Sequence, residues 1–182
     1  MIPIGYMYKK VSAKTDWLKA PQVKEICSVS SCISQDFADW INYWAHNGYW
    51  MFNAPQVIES LAMEQNIVLA GHRLFYYEAF EKQWDEEPGV WVHFEPESSF
   101  ETAVKAPLNA LLLGFDIVSF FAQNGPECSP LSCNHLADTI EVNEHCLIPT
   151  FNEAKRLLEA GAFKNSEPGP YRIIAVHAVQ NT

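Results

Sequence analysis

Two rhythms of apolar residues run along the chain. Stretches rich in β-branched and aromatic side chains occur at IGYMYKKV (4–11), EICSVSSCI (25–33), RLFYYEAFEKQW (73–84), GVWVHFE (89–95), GFDIVSFF (114–121) and YRIIAVHAV (171–179). Each predicts a strand. The runs 73–84 and 89–95 are joined by DEEPG, which predicts a β-hairpin with a medium loop.

Helical spacing marks three other segments. In SQDFADWINYWAHNG (34–48), Ser34 suits the N-cap, Gly48 the left-handed closure, and Phe37, Trp40, Ile41 and Trp44 share one face. A second helix over 54–65 starts at Asn53 and buries Val57, Ile58, Leu61 and Ala62. A third starts at the capping box of Thr150 and Glu153 and ends at Gly161. Strands and helices do not alternate regularly. The expected fold is therefore α+β, a mixed, largely antiparallel sheet with about three packed helices. No linker tract and no repeat of about 20–50 residues is visible, so residues 1–182 are expected to form a single globular domain.

Composition narrows the function classes. With 48% hydrophobic and 19% charged residues the chain has the profile of a folded protein. Twelve Lys and Arg against 22 Asp and Glu give a net charge of −10, with no basic run. Phosphate neutralisation needs Lys and Arg, so nucleic acid is not an expected partner, and anionic membrane surfaces are disfavoured on the same ground. MIPIGYMYKK lacks the pattern of a secretory signal, and the apolar run at 110–122 is interrupted by Asp116 and too short to span a bilayer. A cytoplasmic location is expected. There, an odd count of five cysteines points to free thiols, a metal site or catalysis instead of a disulfide framework.

Four of those cysteines lie in two copies of C-S-x-x-S-C, CSVSSC at 27–32 and CSPLSC at 128–133. Zinc takes four ligands, commonly as two short-range pairs. Read as a strand, however, CSVSSC points its two thiols to opposite faces, so the echo is expected to be coincidence. CSPLSC carries Pro130, follows the turn Asn124-Gly125-Pro126, and reads as a loop. It supplies the ingredients of thiol catalysis: Cys133 as nucleophile, His135 or the more distant His145 as base, and Asn134 as donor. A helix starting near Ser132 would place Cys133 at its positive end. No cofactor is expected under the leading reading; under the alternative one the same loop offers zinc the set Cys128, Cys133 and His135. VNEHCLI reads as a short strand, so His145 and Cys146 face opposite ways and one of them is core.

Other polar groups interrupt apolar strands. Glu78, Asp116 and His177 are expected to face solvent on an open side of the sheet, with Glu78 the residue to watch and Arg172 its counter-ion or an anchor for an anionic ligand. Aromatic residues make up 13% of the chain. Tyr49, Trp50 and Trp91, with His46 and His93, are candidates to rim a cleft. Phosphate-binding, dinucleotide, zincin and serine-hydrolase motifs are missing. The leading expectation is a ligand- or protein-binding module with an aromatic-lined cleft. The alternative is an enzyme using the Cys/His loop at 127–135, as a cysteine-nucleophile hydrolase or transferase, or as a zinc site. Exposed strand edges make a homodimer the expected assembly, if any.

Overall fold

The structure, a computed structural model, describes residues 1–40, 47–94, 103–120 and 126–180. It is α+β. Strands β1 (Ile2–Lys9), β4 (Arg73–Asp85), β7 (Tyr171–Val179) and β6 (Ala110–Ser119) form an antiparallel sheet in that order, and β5 (Val90–His93) pairs with the far end of β4 as a hairpin. A small ribbon joins β2 (Ser12–Ala13) to β3 (Glu25–Ile26).

Helix α1 (Pro55–Gln65) packs against β1, and α3 (Phe151–Glu159) against β6 and β7. The α3 cap forms as its sequence requires: Thr150 Oγ1 accepts the Glu153 amide at 3.2 Å. Leu158 of α3 and Ile58 of α1 are fully buried. Each such burial contributes about 2 kcal/mol. Alternation along β4 puts Phe80 on the α3 face, where its ring meets Phe151 at 5.1 Å, and stacks Phe75 with Tyr77 on the other.

A repeated unit, invisible as a sequence period, organises the molecule. In the first copy Asn47 Nδ2 donates to the Ile4 carbonyl at 2.7 Å, while its Oδ1 accepts the amides of Tyr49 and Met51. In the second, Asn143 Nδ2 donates to the Leu113 carbonyl at 2.6 Å, and its Oδ1 accepts the amides of His145 and Leu147. Each turn then bridges an edge strand, Phe52 to Tyr6 and Ile148 to Phe115, and leads into α1 or α3. Each turn has a left-handed residue at its fourth position, Trp50 (φ 60°) and Cys146 (φ 61°). Each also presses on a strand glycine. A Cβ on Gly5 would lie 2.5 Å from Met51 Cβ, and one on Gly114 would lie 2.8 Å from Leu147 Cβ. The central pairing of β4 with β7 joins the two units.

Several expectations are corrected. The segment expected as a helix over 34–48 is a 3-10 turn at Phe37–Trp40 where it is described, and residues 41–46, including Ile41, Trp44 and His46, lie outside the described residues. Phe37 is buried but Trp40 is 39% exposed, and Ser34 donates to the Ile26 carbonyl instead of capping. The Asn47 side chain takes over the turn and places its left-handed residue at Trp50, not Gly48. Val57 of α1 is 39% exposed. The expected strand 25–33 stops at Ile26. The expected loop CSPLSC contains the one-turn helix α2 (Pro130–Cys133), with Pro130 at its start and Cys133 at its last position, away from the positive end. VNEHCLI is the Asn143 turn, not a strand.

Candidate functional site

The site begins with a charge problem. Lys9 lies in an apolar strand and its side chain is 1% exposed, so its ammonium must find oxygen inside the protein. It finds four: Asp36 Oδ1 at 2.8 Å and the carbonyls of Ser28, Val29 and Ser30 at 2.7, 2.8 and 3.0 Å. Three consecutive carbonyls reach one cation only if the backbone curls. This is why the strand ends at Ile26 and CSVSSC becomes a compact loop.

From the other edge of the sheet, Asp116 of β6 grips the same loop. Its Oδ2 accepts the Val29 amide at 2.8 Å and the Ser129 hydroxyl at 2.6 Å. Asp116 is 1% exposed, contrary to the expectation of a solvent-facing carboxylate. Burial pushes its pKa up to about 6, against the opposing pull of Ser129 and Val29. Ser129 completes the junction by accepting the Ser30 amide at 3.2 Å.

The two hexapeptides therefore meet. The sulfurs of Cys32, Cys128 and Cys133 all lie within 4.8 Å of one another, the first exposed, the second buried and the third between. Cys32 Sγ also donates to the Glu127 carbonyl at 3.2 Å, Cys128 Sγ to Asn134 Oδ1 at 3.4 Å, and Ser30 Oγ lies 3.9 Å from Cys133 Sγ. Asn134 is steadied by Glu167 at 2.9 Å. The Cys128 and Cys133 thiols pointing at Cys32 favour its thiolate and move its pKa down, while that of Cys128 moves up because its proton is shared with Cys133 and Cys32. A cavity of about 710 Å³ adjoins Cys32, lined also by Lys10, Ser12, Thr15, Ser31 and Asp39.

Around a tetrahedral zinc with bonds of about 2.3 Å, thiolate sulfurs sit about 3.8 Å apart. Contraction by at most about an ångström would bring this trio to that spacing. The donor set is soft, and one face is open.

A second cluster joins Glu25, Cys27 and His145. Here Arg73 already supplies the positive charge, reaching Glu25 with Nη1 at 2.7 Å and Nη2 at 3.0 Å, while His145 Nδ1 meets Glu25 Oε1 at 2.8 Å. Arg73 first, with His145 assisting, holds the Glu25 carboxyl down to about 2 against the effect of burial. Cys27 is buried and its thiol is pushed well above the usual range. This is an ion-pair network around an inert thiol. Cys146 is likewise buried, its pKa pushed up to about 12.

The remaining candidates are dispersed. His135 is exposed, has φ 61°, and meets the Trp17 ring at 4.5 Å with a 49° tilt. Neither it nor His145 belongs to the three-thiol group, so no histidine among the described residues joins Cys133 there. Tyr49 is 3% exposed and faces Phe94, whereas Trp91 packs on Phe80 and Trp84 and donates to Glu159 at 2.9 Å, so the two line different walls. Trp50 is half-buried beside Tyr49, and His93 is exposed on β5. Glu78 is half-buried, accepts Tyr76 Oη at 3.0 Å and lies 3.7 Å from His177 Nε2, so Arg172 is not its counter-ion. Arg172 is fully buried, with its guanidinium 5.0 Å from the Tyr49 ring.

Cys32 is the member of the site that the 128–133 loop alone did not disclose. Its signal was the echo of the hexapeptide together with a lysine, Lys9, in an apolar strand. No family model, no curated protein and no solved structure matches the chain.

Proposed function

We propose that the protein binds one soft divalent cation of the zinc class through the thiolates of Cys32, Cys128 and Cys133, with the fourth coordination position left to an exchangeable ligand from the cavity beside Cys32. One observation carries the reading: three sulfurs from two segments distant in the chain lie within 4.8 Å of one another, at a junction that two buried charged residues, Lys9 and Asp116, hold in shape. Three protein ligands and an open place are the pattern of sites where a metal acts on something else, whereas closed structural sites use four.

Elemental mass spectrometry of native protein, with cobalt substitution followed by absorption, tests this. About one zinc per chain is expected, with a cobalt–thiolate charge-transfer band that C32S, C128S and C133S each weaken. H135A is expected to leave both unchanged. Metal-free protein that takes up neither zinc nor cobalt would end the proposal, and dependence on His135 in place of Cys32 would replace its ligand set.

A further inference from the structure

Lys9 shows how this molecule treats a buried cation that serves structure, surrounding it with four oxygens. Arg172, on β7, is treated differently. It is 0% exposed, yet among the described residues the one acceptor at hydrogen-bond distance and geometry is the Phe80 carbonyl at 3.0 Å from Nη2, with the Tyr49 side chain also favouring its charge. Nε and Nη1, which carry most of the guanidinium donors, are buried with no hydrogen-bond partner, and no carboxylate pairs with Arg172 among the described residues. Aromatic rings surround it, with centroids at 3.7 Å (Phe94), 5.0 Å (Tyr49) and 5.5 Å (Phe120) from Cζ. Ring stacking orients the guanidinium but accepts none of its N–H bonds in plane. Burial has also pulled the Arg172 pKa down to about 10. Leaving donors of a buried charge unpaired is destabilising, and a Met of similar length would avoid it.

We propose that Arg172 is the recognition residue of a second binding site, distinct from the thiol cluster, which takes a small oxyanion, carboxylate or phosphate. The planar fork matches either group, and the rings of Tyr49, Phe94 and Phe120 exclude water and so strengthen the pairing. Arg172 has no exposed surface, so the anion must displace a ring to reach Nε and Nη1, and Phe94 is the most exposed of the three at 9%.

The chain has three arginines, Arg73, Arg156 and Arg172, so the Nε–H resonances of nitrogen-labelled protein are assignable with R73K and R156K. Sodium phosphate and sodium acetate are titrated separately against sodium chloride at constant ionic strength. The expected result is a saturable shift of the Arg172 Nε–H signal, with a matching rise in melting temperature. A phosphate response alone identifies a phosphate-bearing ligand, and an acetate response identifies a carboxylate. R172M is expected to melt at or above the wild-type temperature in chloride and to lose the anion response; R172K, which keeps the charge without the fork, is expected to bind about tenfold more weakly or worse. Absence of a saturable shift with both anions in wild type overturns the proposal, and so does an undiminished response in R172K. The wild-type titration decides the matter even if R172M does not fold.

Discussion

Asp116 has both partners on one oxygen, Oδ2, while Oδ1 is buried with none, so its ionised form is poorly supported. The folded chain holds this proton up to about 6, whereas an unfolded chain releases it near 3.8. Stability from this residue is thus present at low pH and lost as pH rises from about 4 to 6, a change of about 3 kcal/mol. Glu25 acts in the opposite sense. Its folded pKa of about 2 lies below 4.5, so its contribution is present above 4.5 and lost as pH falls toward 2. In D116N the Asp116 effect disappears. Melting curves from pH 4 to 7 are expected to show D116N gaining on wild type as pH rises, and parallel curves would contradict the assignment. The thiols divide by similar reasoning: Cys32 is exposed and its thiolate favoured, whereas Cys27 and Cys146 are buried with raised pKa values. Metal-free native protein treated with iodoacetamide near neutral pH is expected to be alkylated first at Cys32, as read by peptide mass spectrometry. Fastest labelling of Cys27 would sink this ordering.

Strands β4 and β7 and helices α1 and α3 were legible in the sequence because period and caps agree there, as the Thr150 cap and the alternation of β4 illustrate. The segments misread from sequence were those where a single polar side chain overrides local preference. Lys9 curls 28–30, Asn47 shapes 47–51, and Asn143 turns an apolar VNEHCLI into a loop. The repeat leaves no period in the sequence because its two copies share a few spaced residues, a strand Gly and a turn Asn, and nothing continuous. Those residues have testable weight. Gly5 and Gly114 have φ of 146° and 151°, and an added Cβ would press on backbone and Cβ atoms of the Asn turns, whereas Gly71 at φ 84° has open space around it. G71A is expected to lose about 1 kcal/mol from backbone strain alone. G5A and G114A are expected to lose about 3 kcal/mol or more, as measured by urea unfolding, because the bridges Tyr6–Phe52 and Phe115–Ile148 must also move. Equal losses at all three glycines would mean that the turns yield freely.

At the scale of the whole molecule, the thiol site lies between the two repeated units. Cys32 comes from the loop that follows β3 and is clamped by Lys9 of β1, while Cys128 precedes α2 and Cys133 is its last residue, and α2 packs on β6. β1 and β6 are the opposite ends of the sheet order. An ion binding all three sulfurs therefore ties together segments that otherwise meet through a few hydrogen bonds, among them Ser30 to Ser129 and Cys32 to Glu127. Because an unfolded chain does not present the three thiolates together, binding stabilises the folded state by RT ln(1 + [L]/Kd), about 4 kcal/mol when free metal exceeds Kd a thousandfold. Chelation is expected to lower the melting temperature accordingly. Hydrogen exchange then locates the effect. Amides of 27–34 and of 128–134 are expected to exchange faster together on removal of metal, while α1, which packs on β1 away from the sulfurs, keeps its protection. Faster exchange confined to 128–134 would remove Cys32 from the ligand set and reduce the site to a local staple. Joint release of both segments would instead make the metal the third clamp on the loop, added to Lys9 and Asp116, so that its loading state is read in both segments at once.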